Sequence, residues 1–222
     1  DLLDMIFTVR EATGKPTGFK TVIGAYGWLD TLCERILARG IEHAPDFITI
    51  DSADGGTGAA PASLIDYMGL PLKESLPLVV DALTRYGLRD RIKVNASGKL
   101  TNPGNVAWAL CMGADFTVSA RGFMFALGCI QALQCNKNTC PTGITTHNVK
   151  LQRGLVVENK AQRVANFAKT LQHEVEVIAH SCGVAEPRLL RRHHCRTIGE
   201  DGRSIALDEL YPYPAAAEST QH

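Results

Sequence analysis

Three closely spaced cysteines are the first feature of the chain that could do chemistry. Cys129, Cys135 and Cys140 are separated by five and four residues, and Pro141 follows the last of them. Structural zinc sites usually have four ligands with two to four residues between paired cysteines, which this spacing does not match. In a reducing compartment, clustered thiols more often bind a metal centre than form disulfides. The spacing is compatible with a three-iron cluster, one thiolate per iron, and also with three reduced thiols that bind nothing.

Two loops carry residues that could bind a phosphate group. Residues 115–119 are predicted to form a strand that turns at Arg121 and Gly122 into an apolar helix, and Gly98 and Lys99 follow the preceding predicted strand. Free N–H groups at a helix N-terminus attract phosphate. Arg121 can pair with a phosphate through two hydrogen bonds, assisted by the N–H groups of Gly98 and Gly122. The alternative is that Arg121 and Lys99 are ordinary surface residues.

The elements that position these residues alternate between strand and helix. The predicted strands cover residues 17–24, 46–51, 91–96 and 115–119, and helices over 28–39, 75–86 and 105–112 follow the first three. This alternation is typical of βα units around a parallel sheet. A complete (β/α)8 TIM barrel has eight strands in about 250 residues. Four units therefore predict the C-terminal half of such a barrel, with a doubly wound open sheet as the alternative.

The two ends of the chain suggest how it is divided. We predict that residues 1–150 form the half barrel with its cysteine loop, and that residues 151–222 form a C-terminal helical extension and tail. A long apolar stripe over residues 155–181 indicates the main helix of that extension. The first residue is Asp and lies inside a helical pattern, so we expect the chain to be a fragment of a longer protein.

The cysteine pattern resembles the cluster loop in the large subunit of glutamate synthase. That family has C-x5-C-x4-C-P-x-G after the last strand of an FMN-binding (β/α)8 barrel, and the segment from Gly128 to Ile144 matches it. The similarity is greatest to the FMN-binding glutamate synthase-like family, which lacks the amidotransferase domain. It extends from about Lys15 to about Asn148 and covers the second half of the barrel. The resemblance implies FMN and a 3Fe-4S cluster bound by the three cysteines.

A second family motif follows the second predicted strand. Asp54, Gly55, Gly56 and Thr57 begin the sequence DGGTGAAP, which is similar to D-G-G-T-G-A-x-P in the glutamate synthases. Without that resemblance the segment would be taken for a tight βα turn. The family places this loop beside the flavin and 2-oxoglutarate. The resemblance therefore implies a catalytic role for Asp54 and cofactor binding by Gly55, Gly56 and Thr57.

Lys20 is the least expected residue of a strand that is otherwise apolar and predicted to be buried. Lysine is rarely buried unless it is paired or close to solvent. The resemblance places Lys20 in the active site, where it would contact the N1/C2 carbonyl region of the flavin or a substrate carboxylate. The alternative is a lysine that reaches the rim of the barrel. The resemblance also numbers the strands before Lys99 and Arg121 as the seventh and eighth, whose loops often bind phosphate in such barrels.

The overall composition excludes some classes of function. The chain is 45% hydrophobic and 21% charged with a formal net charge of zero, which is ordinary for a globular protein. There is no basic excess for nucleic acid and no apolar run that would span a membrane. No signal peptide is evident, so we predict that the protein is located in the reducing cytoplasm.

The remaining cysteines are not expected to form part of a site. Cys33, Cys111 and Cys182 are expected to pack as small hydrophobes. Residues 193–195 (HHC) could bind metal, but a solvated surface is favoured.

Three functional hypotheses follow. The first is a glutamate synthase-type oxidoreductase that converts 2-oxoglutarate and ammonia to L-glutamate, using FMN and electrons relayed by the cluster. Ammonia would come from elsewhere, directly or from glutamine, and electrons from ferredoxin or an NAD(P)H-linked reductase. The second is another FMN-dependent oxidoreductase on the same barrel. The third is a non-catalytic barrel fragment.

Overall fold

A parallel four-stranded sheet lies at the centre of the protein. The computed structural model describes residues 1–53 and 62–215. The strands lie side by side in chain order: β1 (Phe19–Val22), β2 (Phe47–Asp51), β3 (Lys93–Ser97) and β4 (Phe116–Val118). All three pairings between neighbours are parallel. The predicted strands and the mixed α/β class are therefore confirmed.

Six helices precede, connect or follow the strands, and most of them lie where apolar periodicity predicted a helix. They are α1 (Leu2–Thr13), α2 (Trp28–Arg39), α3 (Ala62–Tyr67), α4 (Leu72–Arg85), α5 (Pro103–Cys111) and α6 (Ala120–Leu127). The side chain of Asn102 caps α5, because its Oδ1 accepts the N–H of Asn105 at 2.9 Å. Helix α4 begins earlier than predicted, and α3 was not predicted.

The two faces of the sheet differ sharply in burial. Ile48, Ile50 and Val94 are fully buried on the face that the helices cover. On the opposite face, Val22 and Phe116 are 44% and 48% exposed. Burial therefore alternates along the strands, because helices cover one face of the sheet and leave the other uncovered. We call the uncovered side the open face.

The described strands do not close a barrel. Within residues 1–53 and 62–215, β1 and β4 each pair with one neighbouring strand only. Four consecutive βα units in one parallel sheet agree with the predicted half barrel. Eight-stranded closure is not seen in this part of the protein.

The C-terminal extension packs onto the helical side of the sheet. It contains α7 (Val149–Gln152), α8 (Val157–Ser181), the 3-10 turns Pro187–Leu189 and Arg192–His194, the antiparallel strands β5 (Arg196–Ile198) and β6 (Ser204–Ala206), and α9 (Leu207–Leu210). Helix α8 contacts α5 and α6. The β5–β6 hairpin was not predicted, and the division at residue 150 stays a prediction. No helix in the described ranges is long and apolar enough to cross a membrane.

One buried arginine fastens the extension to the sheet layer. Arg192 is 1% exposed and forms an ion pair with Asp81 of α4. Its guanidinium donates to the carbonyls of Tyr211 and Pro212 at 2.8 and 3.2 Å. It also lies 4.7 Å from the centre of the Tyr213 ring. We call these five residues the Arg192 clasp, because they join α4 to the end of the described chain.

Candidate functional site

Lys20 and Asp51 form an ion pair on the open face. Lys20 Nζ lies 2.6 Å from Asp51 Oδ2, and the two side chains are 60% and 27% exposed. Lys20 is registered with Thr49, and Val22 with Asp51, so both charges lie on the same face. The prediction of a buried strand around Lys20 is therefore wrong, because this face is uncovered. Asp51 was missed as a site residue, since its pairing depends on the register between strands.

An amide and a hydroxyl continue this polar row across the sheet. Asn95 of β3 is registered with Thr49 of β2, and its Nδ2 donates to Thr49 Oγ1 at 3.1 Å. The Oδ1 of Asn95 is buried and has no hydrogen-bond partner. Buried polar atoms in folded proteins are normally satisfied. Lys20, Thr49 and Asn95 thus form a row of polar side chains across the sheet, which we call the polar row. In this row the Oδ1 of Asn95 can still accept a hydrogen bond.

The loop after β3 is held in a conformation that favours glycine. Gly98 has φ 140° and Lys99 has φ 49°. A Cβ at Gly98 would lie 2.1 Å from the Cβ of Ser52, so the loops after β2 and β3 touch. Ser52, Gly98 and Lys99 line a cavity of about 230 Å³ together with Asn105 and Trp108. The predicted phosphate residues of this loop therefore border an open cavity at the strand ends.

The N-terminus of α6 begins directly after β4. Ser119 occupies the cap position, and its Oγ is buried without a hydrogen-bond partner. Gly122 is buried against α8, where an added Cβ would lie 2.7 Å from Phe167 Cζ. This close packing gives Gly122 a structural reason to be glycine. Arg121 lines a different cavity from Gly98 and Lys99, so the predicted phosphate residues lie at neighbouring strand ends without sharing one cavity.

The cysteine loop has a constrained backbone. Helix α6 ends at Gly128, and three non-glycine residues of the loop have left-handed φ values: Gln131 at 56°, Leu133 at 53° and Asn138 at 59°. Such conformations are costly and persist only where other contacts hold them. Two hydrogen bonds hold Asn138. Its backbone carbonyl accepts a hydrogen bond from the Thr146 hydroxyl at 2.7 Å, and its side-chain oxygen accepts one from the His147 N–H at 2.6 Å.

The three predicted metal ligands line one small cavity. Cys129, Cys135 and Cys140 border it together with Arg121, and Cys135 is exposed to solvent. The hydroxyl of Thr142, 3.3 Å from Cys140 Sγ, is the main cause that lowers the pKa of Cys140 to about 6, and the N–H of Thr145 adds to it. Thiolates, not thiols, bind metals. The loop therefore brings the predicted ligands together and favours the ligating form of one of them.

These donor groups suit a cluster better than a single ion. In the described part of the chain, no three His, Cys, Asp or Glu side chains are placed to hold one metal ion. A three-iron cluster has a separate iron for each thiolate, so its ligands need not converge on one point. Three thiols around one cavity therefore fit such a cluster by their donor chemistry. For FMN, the unpartnered Ser119 hydroxyl at the α6 N-terminus fits a phosphate.

Four predicted site residues lie outside the described part of the chain. These are the residues of the glycine-rich loop: Asp54, Gly55, Gly56 and Thr57. In the sequence they follow residues 51–53, the described residues at the C-terminal end of β2.

Comparison with known proteins identifies the family. The family model described as the conserved region in glutamate synthase matches residues 1–185. The chain belongs to the glutamate synthase family. It is 43% identical over 210 residues to the glutamate synthase large subunit-like protein YerD of Bacillus subtilis strain 168, covering 95% of this chain and 40% of that protein. It is also 34% identical to the archaeal glutamate synthase [NADPH] of Methanocaldococcus jannaschii, covering 94% of this chain and 39% of that one.

The chain is therefore shorter than its relatives. It spans about two fifths of the length of the two relatives named above. Among solved structures, a flavocytochrome b2 mutant with pyruvate bound is similar with a TM-score of 0.52 and 16% identity, covering 99% of this chain and 45% of that one. At this identity the likeness concerns the fold alone. It supports an α/β arrangement of the kind that the flavocytochrome contains.

Proposed function

We propose that the protein containing this chain is a glutamate synthase-type oxidoreductase. It would convert 2-oxoglutarate and ammonia to L-glutamate with FMN and a 3Fe-4S cluster. The observation that carries this proposal is the arrangement of Cys129, Cys135 and Cys140 around one cavity with Arg121. Membership of the glutamate synthase family supports it independently. Because the chain spans two fifths of its relatives, the activity is proposed for the whole protein.

The cysteine loop would hold the cluster. When bound, FMN supplies hydride transfer and an iron–sulfur cluster supplies transfer of single electrons. The Thr142 hydroxyl, 3.3 Å from Cys140 Sγ, stabilises the thiolate that a metal requires. Cys135 is exposed to solvent. The three left-handed residues of the loop, Gln131, Leu133 and Asn138, would help to fix the path of the backbone between the three cysteines.

The strand ends would hold the FMN phosphate. Ser119 and the N–H groups at the start of α6 offer donors to an anion, and Arg121 adds a cation. Gly98 and Lys99 approach from the neighbouring strand, since Ser97 is registered with Val118. Gly122 would contribute its N–H to the same helix end. The packing of Gly122 against α8 fixes where that helix end lies.

The open face would receive the reacting groups. Lys20 is a cation held near the strand ends by Asp51, at 2.6 Å. We propose that it contacts either the pyrimidine edge of the flavin or a carboxylate of 2-oxoglutarate. Asn95 offers an unpartnered acceptor in the same row. The resemblance assigns Asp54 a catalytic role and Gly55, Gly56 and Thr57 to cofactor binding, and we propose these roles for the full-length protein.

Ammonia and electrons would come from other components. We propose that ammonia arrives free or from glutamine hydrolysed by another component. Ferredoxin or an NAD(P)H-linked reductase would supply the electrons. All seven cysteines are free thiols, which is consistent with the reducing cytoplasm that we propose as the location.

The cofactor content of the full-length protein tests this proposal. Anaerobically purified protein should contain FMN and about three irons per chain, since each of three thiolates binds one iron. Cys135→Ser should lose the iron, whereas Cys195→Ser, outside the cysteine loop, should keep it. Stoichiometric zinc without iron would show that the loop binds a different metal.

Product formation separates the enzyme from other flavoproteins. With 2-oxoglutarate, ammonia and a chemical reductant, the protein should form L-glutamate. A flavin-containing protein that forms none would be another FMN-dependent oxidoreductase. Protein with neither flavin nor iron would be a non-catalytic member of the family.

A further inference from the structure

An acidic side chain draws the Lys20 ammonium towards the C-terminal ends of the strands. Asp51 is the last residue of β2, and its Oδ2 lies 2.6 Å from Lys20 Nζ. Lys20 is registered with Thr49, two residues before Asp51, so the lysine reaches diagonally along the neighbouring strand. Two residues of a strand span about 6.6 Å. Asp51 therefore holds the ammonium at the edge of the sheet where parallel α/β folds bind their ligands.

One row of side chains crosses the open face at this level. Val22, Asp51, Ser97 and Val118 are registered with one another across the four strands. Val22 and Val118 are exposed, and Asp51 is the charged member of the row. Apolar walls with a few well-placed polar groups are the usual composition of small-molecule sites. The surface beside Lys20 therefore suits a flat ring with a polar edge.

The ion pair presents a hydrogen-bond donor and an acceptor side by side. The ammonium of Lys20 can only donate, and the carboxylate of Asp51 can only accept. The pyrimidine edge of a flavin has the matching pattern, because its C2 carbonyl accepts and the adjacent N3–H donates. A carboxylate of 2-oxoglutarate can only accept, and the charge of Asp51 would repel it. The pair therefore matches the flavin edge and disfavours the substrate carboxylate.

We propose that Lys20 and Asp51 together bind the pyrimidine edge of FMN, with Lys20 at the C2 carbonyl and Asp51 at N3–H. The carboxylates of 2-oxoglutarate would then bind elsewhere. The assignment rests on the proposed function, and it adds Asp51 to the residues that would hold the cofactor. It also decides between the two contacts that were open to Lys20.

The distance across the sheet agrees with this placement. The proposed phosphate residues Ser119 and Arg121 follow β4, whereas Asp51 ends β2, two strands away. Neighbouring strands lie about 4.8 Å apart, so the two groups are separated by about 10 Å. The ribityl chain of FMN separates its phosphate from its ring and can span such a gap. One FMN molecule can therefore reach both ends of the site.

The reduction potential of bound FMN tests the charge of Asp51. Positive charge near N1 and C2 favours reduced, anionic flavin, and Asp51 offsets part of the Lys20 charge. In full-length Asp51→Asn, reduced FMN should gain about tenfold in affinity over oxidised FMN, which is an ordinary size for coupling between two groups. This gain raises the two-electron potential by about 30 mV. Asp51→Glu keeps the charge and should shift the potential less.

An exposed ion pair on the helical side of the sheet provides the control. Asp30 of α2 lies 3.2 Å from Arg85 of α4, and both side chains are exposed. Asp30→Asn removes the same charge as Asp51→Asn and should leave the potential unchanged. An equal shift in the two variants would show that the effect depends on the net charge of the protein and would overturn the role of Asp51.

Titrations and kinetics identify which ligand uses the pair. FMN and riboflavin share the pyrimidine edge, so Asp51→Ala should weaken both by the same factor, and Asp51→Asn should leave the KM for 2-oxoglutarate unchanged. A lower KM with an unchanged potential would place the substrate carboxylate at Lys20 and overturn the assignment. Flavin bound by the unaltered protein, with an affinity and a potential that no Asp51 variant changes, would overturn the assignment alone. An unaltered protein that binds neither flavin would overturn the proposed function as well.

Discussion

Removing Arg192 should release the C-terminal extension without unfolding the sheet. In Arg192→Met the side chain keeps its apolar length, but Asp81 loses its cation and the carbonyls of Tyr211 and Pro212 lose a donor. Breaking one side of a buried ion pair typically costs about 3–5 kcal/mol. Asp81 keeps 20% of its surface exposed, so we expect about 3 kcal/mol, the low end of that range.

Amide hydrogen exchange measures this opening directly. The N–H groups of Leu207 and Tyr211 are bonded to the carbonyls of Cys195 and Leu207 at 2.9 and 2.7 Å. A local loss of about 3 kcal/mol should speed their exchange roughly a hundredfold. Peptides from β2 and β3 should exchange at the unaltered rate.

A second arginine provides the control. Arg196 is exposed, and its side chain donates to Ser204 Oγ at 3.0 Å within the β5–β6 hairpin. Arg196→Met should change exchange at Leu207 and Tyr211 by less than about fivefold, since one exposed polar contact contributes at most about 1 kcal/mol. Equal effects of the two substitutions, or faster exchange throughout the sheet in Arg192→Met, would refute the role of the clasp.

Three further predictions concern the strand ends and the open face. Gly98→Ala should lower the midpoint of thermal unfolding by several degrees, because the new Cβ would lie 2.1 Å from the Cβ of Ser52 and because Gly98 has φ 140°. Gly104→Ala, in the first turn of α5, is the control and should not lower this midpoint. Arg121→Ala should weaken FMN more than riboflavin in equilibrium titrations of the full-length protein, because only FMN carries the phosphate; equal weakening would remove Arg121 from phosphate binding. The 222-residue chain by itself should have no synthase activity and should elute from a sizing column as an associated species, because its open face exposes apolar side chains. A monodisperse monomer that binds FMN and forms glutamate would show that no further strands are needed.

Local patterns in the sequence were sufficient to predict the sheet and most of its helices. Apolar runs bounded by glycine identified the four strands, because each is short, β-branched and followed by a turn. Helices α2 and α5 were predicted within two residues, since periodicity and capping residues act within a single turn of helix. The grouping of the three cysteines was evident from their spacing, but the cluster was implied only by the resemblance to the glutamate synthase loop and stays a prediction.

Contacts between distant parts of the chain could not be predicted in the same way. Asp51 was missed because its pairing with Lys20 depends on which residues two strands place side by side. The β5–β6 hairpin was missed because three-residue strands are too short to show an alternating pattern. One-sided burial of the sheet depends on what covers each face, which no single strand reveals.

The chain order of the sheet has a consequence for synthesis. Each strand pairs with the next strand along the chain, so the sheet needs only contacts of modest sequence separation. The Arg192 clasp, in contrast, joins residues 111 positions apart. During synthesis on the ribosome, the sheet can therefore assemble before the clasp, because the clasp cannot form until Arg192 has left the ribosome. We expect nascent chains that end before residue 192 to expose Asp81 and the surface beneath the extension, and those that end after Tyr213 to resist protease there.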